Sequence, residues 1–239
     1  MSILSIDTSS QVSSVAVLSE ECVAAEISMQ GALTHSETLM PHIDTALRMA
    51  RVKKEELKGI AVSIGPGSFT GLRIGLASAK MMAYAMHTPL VAVPTLEALA
   101  HHYVCEGVRL VAMMDAQKEN VYAQEFAWET GTDGLTLREQ RALAILPLTE
   151  VIASLEGTAK PVLLLGDAMQ KKPALALPAN VRLAPIHARM PRAACVGLAA
   201  LARLARGATD DPVTAAPLYL RRSEAEVLWE KRHGTEAAQ

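Results

Sequence analysis

The stretch Gly65-Pro66-Gly67-Ser68-Phe69-Thr70-Gly71 lies between an apolar run and a helical pattern. A loop of this kind presents backbone N–H groups at a helix N-terminus, where an anion can sit. Gly67 and Ser68 are therefore candidate nucleotide-phosphate contacts. No Lys-Ser/Thr pair follows Gly71, which excludes a Walker A loop. The competing reading is a structural turn whose glycines permit positive φ and close packing. Asp7-Thr8-Ser9-Ser10 closes one strand-like pattern and Asp115 closes another. Asp7, Thr8 and Ser9 complete the nucleotide candidates, although the same residue types favour turns through local hydrogen bonds. His35 and His42 are seven apart, about 10 Å along a helix, too far for an HxxxH metal pair. No GxSxG elbow is present and no cysteine has a suggestively spaced histidine. The sequence thus assigns no catalytic residue and no metal ligand.

The helix after the glycine loop carries a second kind of chemistry, that of a surface. At ~100° per residue, Leu72, Leu76, Ala79, Ala83 and Met86 form one apolar stripe, and Arg73, Lys80 and Tyr84 a narrow polar one. Beyond it lies a further small and apolar stripe of Ile74, Met81 and Ala85, with Ala77 and Ser78 beside it. A helix resting on a sheet needs one apolar side; two imply burial on both. Either a neighbouring helix of the same lobe covers the second side, or another protein does. Burying Ile74 and Met81 would contribute roughly 1.5–3 kcal/mol each. The preceding predicted helix adds Thr38, Pro41, His42, Thr45 and Met49 to this candidate interface.

These residues need a frame. Strand patterns at 3–7, 12–18 and 22–29 predict an antiparallel meander. A helix over 35–50 follows, with Thr34 and Glu37 as a capping box and Pro41 as a point of distortion. The series continues with strand 59–64, helix 72–86, strand 89–93 and a short helix over 95–103. Such an order predicts a mixed sheet with helices on both faces rather than a doubly wound one. The second half repeats the opening: strand 108–114 ending in Asp115, a polar turn, strand 121–127, strand 135–145, a helix at 147–155 and strand 161–165. Residues 172–191 give no clear pattern, and 193–206 read as an Ala/Leu helix. The predicted lobes are 1–105, completed by about 192–222, and a smaller one at 106–191.

Composition narrows the function classes. The 239 residues are 50 % hydrophobic, enough for a full core, and the formal net charge is −2. A nucleic-acid binder acting through bulk positive charge is excluded, and aromatics at 3 % argue against base-stacking platforms. Cys22, Cys105 and Cys195 are widely separated, so neither a disulfide framework nor a Cys-ligated zinc site is supported. No apolar run approaches a membrane span. The expectation is a cytoplasmic protein with no membrane partner.

With these residues in place, the sequence resembles the bacterial TsaB (YeaZ) family. The resemblance rests on Ile6-Asp7-Thr8-Ser9, His35-Ser36-Glu37, the run from Gly65 through Gly75, Leu96-Glu97-Ala98-Leu99-Ala100 and Pro217-Leu218-Tyr219-Leu220-Arg221. It implies an α/β, actin-like fold of the sugar kinase/Hsp70/actin and RNase H-like type, with two related lobes of mixed sheets flanked by helices. It also implies a non-catalytic dimerisation and activating subunit for the paralogue TsaD. Their complex transfers threonylcarbamoyl to N6 of the adenosine beside the anticodon of tRNA, with the ATPase TsaE assisting. In such proteins the two helices flanking the glycine loop pack against TsaD, or against a second copy in a homodimer, and tRNA is met only through the complex. No cofactor is required; ATP or ADP would bind weakly or be shared with a partner. The alternative is an autonomous ATPase or phosphotransferase of the same fold. One departure stands out: the family's second hairpin often reads Asp-Ala-Arg-x-x-Glu-Val-Tyr, and here Gln117 and Asn120 replace the charged pair.

Overall fold

A computed structural model describes residues 1–30, 35–131, 134–172, 175–221 and 229. The capping residue Thr34 lies outside them. Two five-stranded sheets form the frame. In the first, β1 (Ile3–Asp7), β2 (Val12–Leu18) and β3 (Val23–Gln30) make the antiparallel meander. The strands β4 (Ile60–Gly65) and β5 (Leu90–Pro94) then add in parallel on the other side of β1. The order is β3-β2-β1-β4-β5.

The second sheet repeats it. β6 (Arg109–Asp115), β7 (Asn120–Gly131) and β8 (Gly134–Pro147) are antiparallel, and β9 (Val162–Leu165) and β10 (Val181–Leu183) add in parallel. Its order, β8-β7-β6-β9-β10, matches the first strand for strand. This duplicated arrangement is the two-lobed actin-like fold. The sequence patterns missed β10, a strand of three residues in a region scattered with proline.

Period-two alternation decides which helix covers which face. Leu4, Ile6, Val15 and Val17 point to one side of the first sheet, where α1 (His35–Ala50) and α2 (Phe69–Met86) bury Leu39, Ile43, Leu76, Ala79 and Ala83. The helix α1 continues through Pro41, which forfeits one backbone donor in its second turn. Ile3, Ala16 and Leu18 point to the opposite side and meet α5 (Ala193–Leu204). A Cβ on Gly197 would stand 2.4 Å from the Leu18 side chain, so glycine there sets how closely α5 approaches β2. Glu26 of β3 accepts from the Ala194 N–H and pairs with Arg192, holding an acid at the helix N-terminus.

A six-residue helix, α3 (Thr95–Ala100), is the wedge between the lobes. Its Ala98 joins the α5 side of the first sheet, while Leu96, Leu99 and Ala100 join Leu110, Ala112, Phe126 and Trp128 in the second core. The other face of the second sheet is covered by α4 (Leu148–Ala153) through Leu148, Val151 and Ile152.

Candidate functional site

The glycine loop and the Asp7 turn are in contact, and that contact corrects the reading of Asp7 and Thr8. Neither lines an open site: Asp7 and Thr8 are both 0 % exposed. The Thr8 hydroxyl donates to the Gly71 carbonyl at 2.7 Å, and the Ser68 N–H donates to the Ser9 carbonyl at 2.7 Å. A Cβ would fall 2.2 Å from Ser9 O at Gly67, 2.0 Å from Thr8 O at Gly71 and 2.3 Å from Thr8 Oγ1 at Gly75. The three glycines let the first turns of α2 rest on the β1–β2 turn. The hydroxyl of Ser68 caps this helix by accepting from the Gly71 N–H.

Asp7 is therefore held inside the lobe. Its Oδ1 accepts from the Ser9 N–H at 3.0 Å and the Ser9 hydroxyl at 2.9 Å. Burial pushes the carboxyl above the usual carboxylate range, against the opposing pull of Ser63, Ser9 and His35. Asp7 Oδ2 and Ser63 Oγ are both buried without a partner of good geometry.

A cleft of about 480 Å³ opens between the lobes. Ser9, Ser10, His35, Gly67, Ser68 and Phe69 line it from the first lobe; Asp115, Ala116, Gln117, Tyr122 and Asp167 line it from the second. Leu218, Tyr219, Leu220 and Arg221 complete the wall. Of the five nucleotide candidates, Ser9, Gly67 and Ser68 reach this cleft. Among the described residues no group of three His, Cys, Asp or Glu side chains could hold a metal ion. Cys195 is buried, which pushes its thiol up to about 12 and makes it a poor nucleophile.

The hairpin turn at the cleft mouth departs from the family pattern and has an unusual backbone. Gln117, Lys118 and Glu119 all have positive φ, at 63°, 49° and 65°. The Gln117 N–H donates to Asp115 Oδ1, and Glu119 pairs with Lys172 at 2.7 Å. The ionic contact of this turn is thus made by Glu119, one residue before Asn120.

The surface candidates divide by exposure. On α2, Met81 is 67 % exposed, Ala77 and Ala85 are exposed, Ser78 is half-buried, and Ile74 is half-buried against the lobe's own core. On α1, Met49 is 64 % exposed, Pro41 is exposed, and His42 and Thr45 are half-buried. Thr38 is a correction: it lies on the buried side of α1 and offers no surface. Tyr84, 63 % exposed, was not among the candidates and sits between the polar stripe and Met81, whereas Met40, 53 % exposed, lies on the opposite side of α1 from Met49 at ~100° per residue.

The polar stripe of α2 has an occupant. Lys80 Nζ donates to the carbonyls of Val213 (3.1 Å) and Ala215 (2.7 Å). Arg73 lies over the Phe69 ring at 3.9 Å and donates to the Tyr219 hydroxyl at 3.0 Å. One flank of α2 is thus covered by this chain, while among the described residues the flank bearing Met81 is exposed.

Comparison with known proteins agrees with the fold and the motifs. A family model described as "TsaD: tRNA N6-adenosine threonylcarbamoyltransferase" matches residues 29–229. The chain is 32 % identical to the tRNA threonylcarbamoyladenosine biosynthesis protein TsaB of Bacillus subtilis, over 70 % of this chain and 71 % of the relative. It is 28 % identical to the Escherichia coli protein of that name, over 99 % and 100 %. The solved structure of YeaZ from Pseudomonas aeruginosa superposes with a TM-score of 0.75 at 26 % identity, covering 92 % of this chain and 99 % of that one.

Proposed function

The chain belongs to the TsaB (YeaZ) family, whose named members act in tRNA threonylcarbamoyladenosine biosynthesis, and from that premise we propose that it is the non-catalytic dimerisation and activating subunit of the complex that modifies tRNA. TsaD carries the transfer of threonylcarbamoyl to N6 of the adenosine beside the anticodon, and this chain docks TsaD through α1 and α2. A second copy occupies the same face when TsaD is absent. TsaE joins the assembled complex, and tRNA is met only there.

The observation that carries this reading is the outer face of α1 and α2. Met49 and Met81 stand exposed on the same helix pair as the exposed Pro41, Ala77 and Ala85, and the inner faces of that pair are already filled by the lobe's own core. Exposed methionines grouped with small residues suit a helical partner, since thioethers adapt to a facing surface and small side chains allow close approach. The burial of Asp7 and Thr8 weighs in the same direction. An autonomous ATPase would need polar groups at that turn free for phosphate, and here both side chains are buried, with Thr8 bound to the Gly71 carbonyl and Asp7 Oδ1 to Ser9. Ser9, Gly67 and Ser68 remain the residues that would meet ATP or ADP in the cleft, weakly or together with a partner.

The test is tRNA threonylcarbamoylation in a reconstituted system containing TsaD and TsaE. We expect turnover to depend on adding this chain. Full turnover without it, or ATP hydrolysis by the chain alone, would overturn the proposal.

A further inference from the structure

The Pro217–Arg221 motif is not used by the docking reading, yet its contacts form a continuous path. At one end, Asp210 bridges to Leu90, and its carboxylate accepts from the Ala92 N–H at 2.8 Å, so residues 210–221 begin on the edge of the first sheet. The chain then runs along α2, where Lys80 holds the carbonyls of Val213 and Ala215. The Leu218 N–H donates to the Ile64 carbonyl at 2.7 Å, and a Cβ on Gly65 would stand 2.8 Å from Leu218 O. Tyr219 stacks on Phe69 with ring centroids 4.5 Å apart and receives the Arg73 hydrogen bond. At the far end, Leu220 packs against the second core and Arg221 donates to the Ala116 carbonyl at the β6–β7 turn.

From this path we infer that residues 210–221 are a strap that positions the docking helix from the second lobe. Lys80, Arg73 and Tyr219 hold the polar flank of α2, and Arg221 fastens the same segment across the cleft. The grip falls at two levels of α2: Arg73 and Phe69 in the first two turns, and Lys80 one turn before Tyr84. A helix held by its sheet on one side and by a strap on its polar flank has little freedom to rotate about its axis, and rotation is what would withdraw Met81 from a partner. Polar side chains that bind backbone carbonyls fix position without covering the apolar face, so the strap leaves the face open. The second lobe, which among its described residues contributes none to that face, then bears on docking through the bond of Ala116 to Arg221. The inference deepens the reading above and rests on α2 being the docking helix.

The experiment uses the full chain with Arg221→Ala, and Tyr219→Phe as the milder variant that loses one hydroxyl. The first readout is amide hydrogen exchange of peptides covering α2 in the chain alone. Exchange in its first two turns should accelerate about tenfold or more in Arg221→Ala, and by less in Tyr219→Phe. The second readout is association with TsaD, which Arg221→Ala should weaken about threefold or more although it removes no docking atom. Wild-type protection of α2 in both variants overturns the strap. So does faster exchange with unchanged association, provided Met81→Asp weakens association in the same assay. If Met81→Asp leaves association intact, the docking reading has failed, and the exchange result alone decides whether the strap holds α2.

Discussion

The two lobes share a strand order and differ in the connections after their third and fourth strands. In the first lobe these are α1, of 16 residues, and α2, of 18. In the second they are α4, of six residues, and a 3₁₀ turn over Ala168–Lys171. The strand ends match: β4 closes in Gly65 with φ +117°, and β9 is followed by Gly166 with φ +96°. Beyond that point the first lobe builds a long helix with an exposed side, and the second lobe has, among the described residues, only a short 3₁₀ turn before β10. One frame has therefore been used twice, once to present a helical face and once as a compact support. The acids that end the first strands diverge in the same way. Asp7 is sealed under the glycine loop, while Asp115 lines the cleft.

The largest effect should come from the glycines that both lobes need. Gly71→Ala places a Cβ 2.0 Å from Thr8 O, and Gly166→Ala places one 1.8 Å from Met113 O; both neighbours are backbone and cannot swing aside. Each substitution should cost about 3 kcal/mol or more, read as a fall of roughly 10 °C in Tm. Gly157→Ala, with positive φ but open space around it, should cost only about 1 kcal/mol. If Gly71→Ala were as mild as Gly157→Ala, the loop would be free to move and the sealed turn would have to be abandoned.

The wedge between the lobes predicts a pH dependence. Burial lowers the His102 pKa to about 4, and His101, edge-on to Trp128, is lowered as well. An unfolded chain takes up these protons near pH 6.5, whereas in the folded chain His102 does so only near 4 and His101 is displaced in the same direction. The stabilisation is therefore complete above pH 6.5 and is lost as pH falls from there toward 4. For His102 the loss should be about 2 kcal/mol between pH 7 and 5, seen in denaturant titrations. His102→Gln should flatten that slope.

The smallest effect sharpens the contrast between the acids. In Asp7→Asn, the amide oxygen can still accept from Ser9, and its NH₂ group can donate to the unpaired Ser63 hydroxyl. Stability near pH 7 should stay within about 1 kcal/mol of the parent or rise, because the variant buries no ionisable carboxyl. Asp7→Ala, which strands the Ser9 donors, should be the worse of the two. A large loss in Asp7→Asn would show that the negative charge itself is needed.

Much of this was legible in the sequence. The meander of the first lobe was marked by its β-rich patterns and short polar turns, and the strand before the glycine loop by a continuous apolar run. The glycine loop could be located, but not its job. Anion seats and close-packed turns demand the same residues, and only the position of the Thr8 and Ser9 carbonyls separates them. Thr38 was misplaced because a small polar residue gives little signal about which face it occupies. The strap was invisible for a different reason. Lys80 and Arg73 read as a solvated stripe, and their partners lie 133 to 146 positions away in the chain.

The central claim is that docking happens on the bare side of α1 and α2, and the most direct test is calorimetric titration of this chain into TsaD, comparing the parent with Met81→Asp. Met81 is 67 % exposed, so the variant should fold as the parent does. The account predicts an affinity at least about a hundredfold weaker, the cost of desolvating a carboxylate in an apolar interface. Equal affinities for parent and variant would place the docking surface elsewhere on the molecule and contradict it.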